Sequence, residues 1–310
     1  MILADIEDCL GNQLFGYAST KSIALDLDYE YRYRVIRPSY TNRETDRDTF
    51  GHEWSAAFER HLNIDISERI DTLPKEVTQR WDEPWPREHN YQESVYQIGD
   101  NTVLSGHFCS PRYFQHRRRE VLEWFRFENG LRHRCESLAA DFRRLKHNLP
   151  LVAVHVRYGR DYLQQTKAVA LGYYGKAISE LSADFGPLNV LLFSDNLESV
   201  EPVLRKIDPE LSVVNGTMFE DLCLMSLCDF HVIGNSSFGW WGAWLGERET
   251  GVVVRPSIFP LGNGQNYPLD IFPESWRVEP ATRVEPSIVS KPMLWRRVIR
   301  GFRRRLHARE

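Results

Sequence analysis

The side chains best suited to chemistry follow an apolar run in the second half of the sequence. The run LVAVHV (151–156) contains His155 and is followed closely by Arg157, Arg160 and Asp161. Guanidinium groups match phosphate oxygens in a bidentate geometry, so two arginines at the end of a buried strand favour an anionic ligand. The alternative is a structural ion pair between Asp161 and one of the arginines, because such pairs are common. The residues alone leave both open.

A second candidate follows the run FHVIG (230–234). Asn235, Ser236 and Ser237 stand where the next helix is predicted to start, so hydroxyl groups and unpaired backbone N–H groups converge at the positive end of its dipole. This arrangement can bind phosphate. The tryptophans and glycines of the following GWWGAWLG favour packing of that helix over stacking on a ligand.

A third candidate is Asp195 in the segment SDN, which follows the run NVLLFS (189–194). An acidic or amide side chain at this point often caps the next helix. At a strand end of a doubly wound sheet it can also accept hydrogen bonds from a nucleotide. The sequence does not separate these roles.

A fourth candidate lies near the N-terminus, where Gly11, Asn12 and Gln13 stand in a predicted strand–turn–helix. The G-x-G-x-x-G spacing is missing, so dinucleotide binding is not supported. D-x-D patterns at 26–28 and 46–48 imitate a metal site, but no further carboxylate cluster accompanies them. No metal and no cofactor are therefore expected.

The elements that position these residues form a regular alternation after residue 149. Short, continuous apolar runs rich in β-branched residues are typical of buried parallel strands. They lie at 151–156, 189–194, 211–214, 230–234 and 251–255, with candidate helices at 173–184, 197–207, 218–228 and 237–247. This succession predicts an open, doubly wound α/β domain whose ligand sits at the carboxyl ends of the strands.

The first half is less regular. A strand, a helix and a second strand are predicted from residue 1, and another strand at 102–108 precedes helical patterns at 111–147. Residues 37–101 are polar without a sustained period, which indicates loops and short helices. We therefore predict an N-terminal α/β domain over 1–148, a C-terminal domain over 149–280 and a tail over 281–310.

Composition limits the class of protein. The chain has 310 residues, 42% of them hydrophobic, and no apolar run approaching a membrane span. The start MILADIEDCLG is too short and acidic for a signal peptide, and the five cysteines are scattered. These features lead us to expect a soluble cytoplasmic protein with reduced thiols.

The charge is uneven, because eight of the 39 basic residues lie in 291–310. Apolar residues recur there at helical spacing opposite the arginines, as in helices that lie on anionic membranes. Peripheral contact with the inner membrane face is one reading, and a docked helix or solvated tail is the other. Nucleic-acid binding is not favoured, because no second basic patch with aromatic residues supports it.

Four segments, in order, resemble the α-1,2-fucosyltransferase family, glycosyltransferase family 11, within the GDP-fucose-dependent transferases. They are LGNQLFGYA, GHFCSPRYFQHRRREVLEWFRF, HVRYGRDY and EDLCLMSLCDFHVIGNSSFGWWGAWL. The resemblance spans residues 1 to about 270, apart from 37–100. It implies a GT-B fold, in which two Rossmann-like domains face a cleft, with GDP-fucose mainly on the C-terminal domain and the acceptor on the N-terminal one.

The resemblance also implies roles for individual residues. His155 and Arg157 match the H-x-R that holds the nucleotide diphosphate, and Asp195 matches a position near the guanosine. The remaining donor-side matches are Arg160, Asp161, Asn235, Ser236, Ser237 and Phe238, with Gly11, Asn12 and Gln13 approaching from the opposite domain. Within this set Arg157, His155 and Asn12 are the predicted catalytic residues.

Two departures from the family pattern stand out. The usual Arg-Arg-Gly-Asp is here Arg-Tyr-Gly-Arg-Asp, so the second arginine is either lost to Tyr158 or displaced to Arg160. The glycines usual before LGNQ are replaced by Glu7, Asp8 and Cys9. These residues place acid beside the expected cleft and suggest a different acceptor.

The resemblance implies inverting transfer of L-fucose from GDP-β-L-fucose to a hydroxyl, O2 of a terminal galactoside in a surface glycan. The partners would thus be GDP-fucose and a galactose-containing glycan. Glu7, Asp8 and Asp161 are candidates for a general base. The alternatives are the same fold with another GDP-sugar such as GDP-L-galactose, or a non-catalytic nucleotide- or sugar-binding protein with a decayed site.

Overall fold

The computed structural model of the chain describes residues 1–36, 58–84, 91–262, 265–266 and 269–284. The elements of its first half are β1 (Ile2–Ile6), α1 (Leu10–Asp26), β2 (Tyr31–Val35), α2 (Phe58–His61), β3 (Gln79–Asp82), β4 (Thr102–Ser105), α3 (Arg118–Trp124) and α4 (Asn129–Leu145). Those of its second half are β5 (Leu151–Val156), α5 (Arg160–Gln164), α6 (Leu171–Phe185), β6 (Asn189–Ser194), α7 (Leu197–Leu204), β7 (Ser212–Val213), α8 (Met218–Met225), β8 (Phe230–Ile233), α9 (Ser237–Gly246), β9 (Val253–Pro256), β10 (Pro260–Gly262), β11 (Gln265–Asn266) and β12 (Arg277–Glu279).

The first half is built on a parallel sheet with the strand order β2-β1-β4-β3. The predicted strands at the N-terminus and at 102–108 are confirmed, with shorter bounds. The strand β3 was not predicted. Its sequence QRWD has no apolar run because it lies at the sheet edge with three of its four residues exposed, so hydrophobic patterning gives no signal there.

The second half is a parallel six-stranded sheet with the order β12-β9-β8-β5-β6-β7. The five strands predicted after residue 149 and the four helices between them are confirmed. The chain adds β6 and β7 on one side of β5 and then crosses to β8 on the other. Ligands of such sheets bind at this reversal, beyond the carboxyl ends of the strands. The sequence following β5 and β8 is therefore where a site is expected.

The two halves are joined by packing between α1 and α9. The ring of Phe15 lies 4.5 Å from that of Trp240 and 5.0 Å from that of Trp241. Trp241 donates its indole N–H to the carbonyl of Gly11 at 2.9 Å, and Trp240 donates to the carbonyl of Ile271 at 2.7 Å. The tryptophans thus serve packing between the halves, as their sequence context favoured.

The predicted boundaries near 148 and 280 stay predictions, and the basic segment 291–310 lies outside the described residues. Helix α4, which precedes the first of these boundaries, packs against α8 of the second half. Within the part of the chain that the structure describes, no helix is long and apolar enough to cross a membrane.

Two imidazoles are buried in the second sheet. Burial lowers the pKa of His155 to about 3 and that of His231 to about 4. A ring nitrogen of His231 lies 2.9 Å from the carbonyl oxygen of Met225. Both rings are therefore neutral in the folded protein at physiological pH.

These histidines predict a loss of stability in acid. In the unfolded chain both imidazoles bind a proton below the usual histidine pKa of about 6.5. In the folded chain His231 binds one only below about pH 4 and His155 only below about pH 3. The free energy of unfolding therefore falls as pH decreases from about 6.5. Each histidine should contribute about 2 kcal/mol of this loss by about pH 5. Urea unfolding at neutral and acid pH measures it.

The substitution His231→Gln should flatten this pH dependence, because glutamine can donate to the Met225 carbonyl without titrating. The same substitution at His133, whose side chain is 80% exposed, is the matched control and should leave it unchanged. Equal pH dependence in His231→Gln and the unsubstituted protein would contradict this account.

Candidate active site

Arg157 lies just beyond the carboxyl end of β5 between two carboxylates. Its guanidinium donates to Asp161 at 2.8 Å and lies 2.6 Å from the carboxylate of Asp195. Asp195 also accepts a hydrogen bond from the backbone N–H of Tyr158 at 2.7 Å. The structural ion pair that the sequence analysis considered is therefore present between Arg157 and Asp161. It fixes the guanidinium at the position where the sequence predicts an anionic ligand.

Gly159 makes this network possible. A Cβ at this position would lie 2.3 Å from a carboxylate oxygen of Asp195 and 2.8 Å from one of Asp161. A side chain at this position would therefore displace the carboxylates that hold Arg157. Arg160, to which the second motif arginine could be displaced, follows as the exposed first residue of α5.

The electrostatic environment keeps Arg157 charged. Burial opposes its charge, but the carboxylates of Asp195 and Asp161 outweigh this and raise the pKa of the guanidinium above its usual value. The guanidinium carbon also lies 4.9 Å from the centre of the Tyr162 ring. Arg157 is therefore a fixed positive charge across the whole pH range of interest.

His155 is placed beneath α9 rather than at the surface of the cleft. Its side chain is 7% exposed, and its ring centre lies 5.4 Å from that of Phe238. A Cβ on Gly239 would lie 2.5 Å from its Nδ1. As a neutral, buried ring His155 cannot supply positive charge to a ligand, and its contacts seat the first turn of α9.

The first turn of α9 has no side-chain cap. Ser236 is the N-cap residue, yet its side chain makes no capping hydrogen bond. The side chain of Asn235 faces inward, 1% exposed, and donates to the carbonyls of Lys167 at 2.8 Å and Pro260 at 3.1 Å. Asn235 therefore holds the loop, while Ser237 and Phe238 are partly exposed at the helix start.

The N-terminus of α1 meets the N-terminus of α9 at Gly11. A Cβ on Gly11 would lie 2.5 Å from the backbone nitrogen of Phe238 and 2.6 Å from the carbonyl carbon of Ser237. The positive ends of two helix dipoles therefore converge here. An anion bound beside them would be stabilised by both helices.

This contact predicts an effect of Gly11→Ala on stability. Alanine usually stabilises a helix relative to glycine, but here the added methyl group would press on the backbone of α9, so we expect a loss of about 1–3 kcal/mol. Urea unfolding measures the change. Gly172→Ala in α6 is the control, because no described atom beyond its chain neighbours and its own helix backbone lies within 4 Å of the added carbon. Equal effects of the two substitutions would contradict the close contact.

Asn12 and Gln13 are engaged with Asp8. Asn12 donates to the Asp8 carboxylate at 2.6 Å, and Gln13 donates to its backbone carbonyl at 2.9 Å. Asp8 has φ 71°, in the left-handed region that favours glycine, where the family pattern has glycine. The two amides thus hold a strained acidic loop at the end of β1, and such strain often marks a functional site.

Sequence reasoning missed three residues around this loop. His107 follows β4 and places Nε2 3.3 Å from the Asp8 carboxylate. Tyr162 and Lys167 of the opposite half lie near enough for the charge of Asp8 to raise the pKa of each. A signal for His107 existed, because it ends a predicted strand of the same parallel sheet as β1. Lys167 lies in an irregular loop, where spacing gives no signal.

The structure thus brings most of the predicted residues to one place. Arg157, Asp161 and Asp195 form one network, and the start of α9 contacts Gly11 of the other half. Tyr162 links the two groups, because its ring lies 4.9 Å from the guanidinium carbon of Arg157 and its hydroxyl donates to the carbonyl of Asn235 at 3.2 Å. Over the described ranges, no group of three histidine, cysteine or acidic residues could hold a metal ion.

Two halves, each built on a parallel sheet and in contact between α1 and α9, are the arrangement of the GT-B fold. The fold is similar to that of NodZ alpha-1,6-fucosyltransferase in a crystal soaked with GDP-fucose, with a TM-score of 0.53 at 17% identity, covering 86% of this chain and 97% of that one. The model of Glycosyl transferase family 11 matches residues 58–264. The chain belongs to this family and is a glycosyltransferase.

Curated relatives include enzymes of bacteria and mammals. The O-antigen biosynthesis glycosyltransferase WbnK of Escherichia coli is 27% identical over 288 residues, which cover 83% of this chain and 94% of WbnK. The alpha-1,2-colitosyltransferase of Escherichia coli is 33% identical over 139 residues, 41% of this chain and 47% of its own length. Galactoside alpha-(1,2)-fucosyltransferase 2 of Mus musculus is 24% identical over 54% of this chain and 52% of its own.

Proposed function

We propose that the protein transfers L-fucose from GDP-β-L-fucose to a glycan hydroxyl with inversion at the anomeric carbon. The observation that carries this proposal is that Tyr162 links Arg157 to the start of α9, where the positive ends of α1 and α9 converge at the strand-order reversal. A nucleotide diphosphate fits such a site, because helix N-termini and guanidinium groups both stabilise phosphate. The fucosyltransferases among the relatives support fucose as the sugar.

The mechanism follows from these charges. The bond between the sugar's anomeric carbon and the diphosphate oxygen breaks, and the acceptor oxygen bonds to that carbon from the opposite face as it loses its proton. Negative charge grows on the departing GDP, where Arg157 and the N–H groups at the start of α9 stabilise it. One such preorganised interaction is typically worth about 3 kcal/mol, or about 10²-fold in rate.

Among the acidic candidates, Asp8 fits the role of general base best. The Asp161 side chain is 11% exposed and bound to Arg157, whereas the Asp8 side chain is 31% exposed at the end of β1, on the proposed acceptor side. His107 and Asn12 contact its carboxylate and fix its direction. We propose that Asp8 accepts the proton of the attacking hydroxyl.

The acceptor proposed is O2 of a terminal galactoside in a surface glycan. Two relatives support it by name, the galactoside alpha-(1,2)-fucosyltransferase of mouse and WbnK of O-antigen biosynthesis.

A cytoplasmic reaction beside the inner membrane face agrees with the basic segment 291–310. Deletion of this segment should reduce pelleting with anionic liposomes, and unchanged pelleting would remove the membrane contact from the proposal.

A second candidate keeps the site and changes the sugar. The colitosyltransferase relative favours colitose as the transferred sugar, and GDP-L-galactose is another donor with the same chemistry. The intact network around Arg157 argues against a decayed, non-catalytic site.

The test is release of GDP from a panel of GDP-sugars, with and without galactoside acceptors. We expect the highest kcat/KM with GDP-fucose, and an α-linked product. A higher kcat/KM with GDP-colitose or GDP-L-galactose would assign that sugar, instead of fucose, as the one transferred. Binding of GDP without hydrolysis or transfer of any of them would indicate a non-catalytic protein.

A further inference from the structure

We propose that Lys167 is the second cation of the donor site and binds the diphosphate together with Arg157. This inference rests on the proposed use of a GDP-sugar. It assigns a ligand contact to a residue outside the four recognised segments, in the irregular loop between α5 and α6.

Across the ranges that the structure describes, the ammonium group of Lys167 has no ion-pair or hydrogen-bond partner, although Asp161 and Asp8 act on its charge from a greater distance. Lys167 is nevertheless partly buried, and this burial lowers the pKa of its ammonium below the usual value. A charge that loses water without gaining a counter-ion is costly, so the arrangement favours a site completed by a bound anion.

The backbone of Lys167 is tied to the predicted phosphate site. Its carbonyl accepts the 2.8 Å hydrogen bond from buried Asn235, which directly precedes the N-cap of α9. Its N–H donates to the carbonyl of Tyr162 at 2.8 Å, and Thr166 before it has φ 54° in the left-handed region. The loop is therefore fixed against the start of α9.

The side chain points toward the same aromatic ring as Arg157. Nζ of Lys167 lies 6.0 Å from the centre of the Tyr162 ring, and the guanidinium carbon of Arg157 lies 4.9 Å from it. Asp161 and Asp8 favour the charge of Lys167, whereas Arg157 opposes it. The charge of Lys167 therefore interacts with carboxylates of both halves. A diphosphate bound beside Lys167 and Arg157 would reduce the repulsion between these two cations.

The same geometry accounts for the altered arginine motif. The position of the second motif arginine is Tyr158, and Arg160 is exposed at the start of α5. Lys167 reaches the site from further along the chain and supplies a second positive charge. Lysine binds phosphate as a point charge, so it can do so without the planar geometry of arginine.

The test compares binding of GDP and of guanosine to Lys167→Met by calorimetry and competition. A charge-assisted contact to the diphosphate should be lost, which weakens GDP binding at least about tenfold and leaves guanosine binding unchanged. Lys167→Arg should restore most of the GDP affinity. Lys206→Met removes the same charge from an exposed position and should match the unsubstituted protein.

The outcomes separate the inference from the proposed function. Failure of the unsubstituted protein to bind GDP would reject the proposed function. Normal GDP binding by Lys167→Met would overturn the inference alone, and a selective loss in Arg160→Met would assign the second cation to Arg160. Equal losses of GDP and guanosine affinity in Lys167→Met would show a structural role and would also overturn it.

Discussion

Replacement of Arg157 by alanine is expected to lower turnover of the GDP-sugar by at least about 10²-fold. The substitution removes the fixed positive charge beside the departing diphosphate. It also leaves the carboxylates of Asp161 and Asp195 without their shared counter-ion, and their negative charge then opposes the negatively charged donor. Single-turnover measurements at saturating donor separate this effect from weaker binding.

Arg157→Lys is the matched variant for this prediction. Lysine keeps the charge but cannot contact both carboxylates with one planar group, so intermediate turnover is expected. Circular dichroism should confirm that each variant is folded before its rate is interpreted. Near-normal turnover by folded Arg157→Ala would remove Arg157 from the catalytic assignment.

The second large effect is expected for Asp8→Asn. Asparagine has nearly the same shape and also tolerates the left-handed backbone that Asp8 adopts, so the loop should keep its conformation. It cannot accept the proton of the acceptor hydroxyl, and loss of a general base typically lowers the rate by about 10²-fold or more. The measured quantity is kcat for transfer, with GDP affinity determined in parallel.

Glu7→Gln provides the matched control, because it neutralises the neighbouring acid in the same loop. We expect transfer to fall in Asp8→Asn while GDP affinity stays within about twofold, and to change little in Glu7→Gln. The reverse pattern would assign the base to Glu7. Normal transfer by both variants would indicate that the reaction proceeds without a protein base at this loop.

The sequence predicted elements best where burial is continuous. The strands β5, β6 and β8 are mostly apolar and buried along nearly their whole length, because both faces of the sheet are covered. The edge strands β3 and β12 were missed for the converse reason. They are short and partly exposed, so their sequences carry no sustained apolar run.

Residue type alone predicted the contacts of some site residues and not those of others. Arg157 could be placed from the sequence, because a cation at a strand end has few alternatives to an anionic partner. The inward direction of Asn235 and the hydrogen bonds from Asn12 and Gln13 to Asp8 could not be predicted from the sequence. The residue type of an amide does not show whether its side chain binds a ligand or another part of the protein. Lys167 depends on tertiary packing alone, because the loop that carries it is fixed by Asn235.

The most direct test of the central claim is the crystal structure of the protein bound to GDP. The account predicts phosphate oxygens about 3 Å from the guanidinium of Arg157 and from backbone N–H groups at Ser237 or Phe238. Such a position would place the donor at the strand-order reversal between β5 and β8. A diphosphate bound away from both Arg157 and the start of α9 would contradict the account.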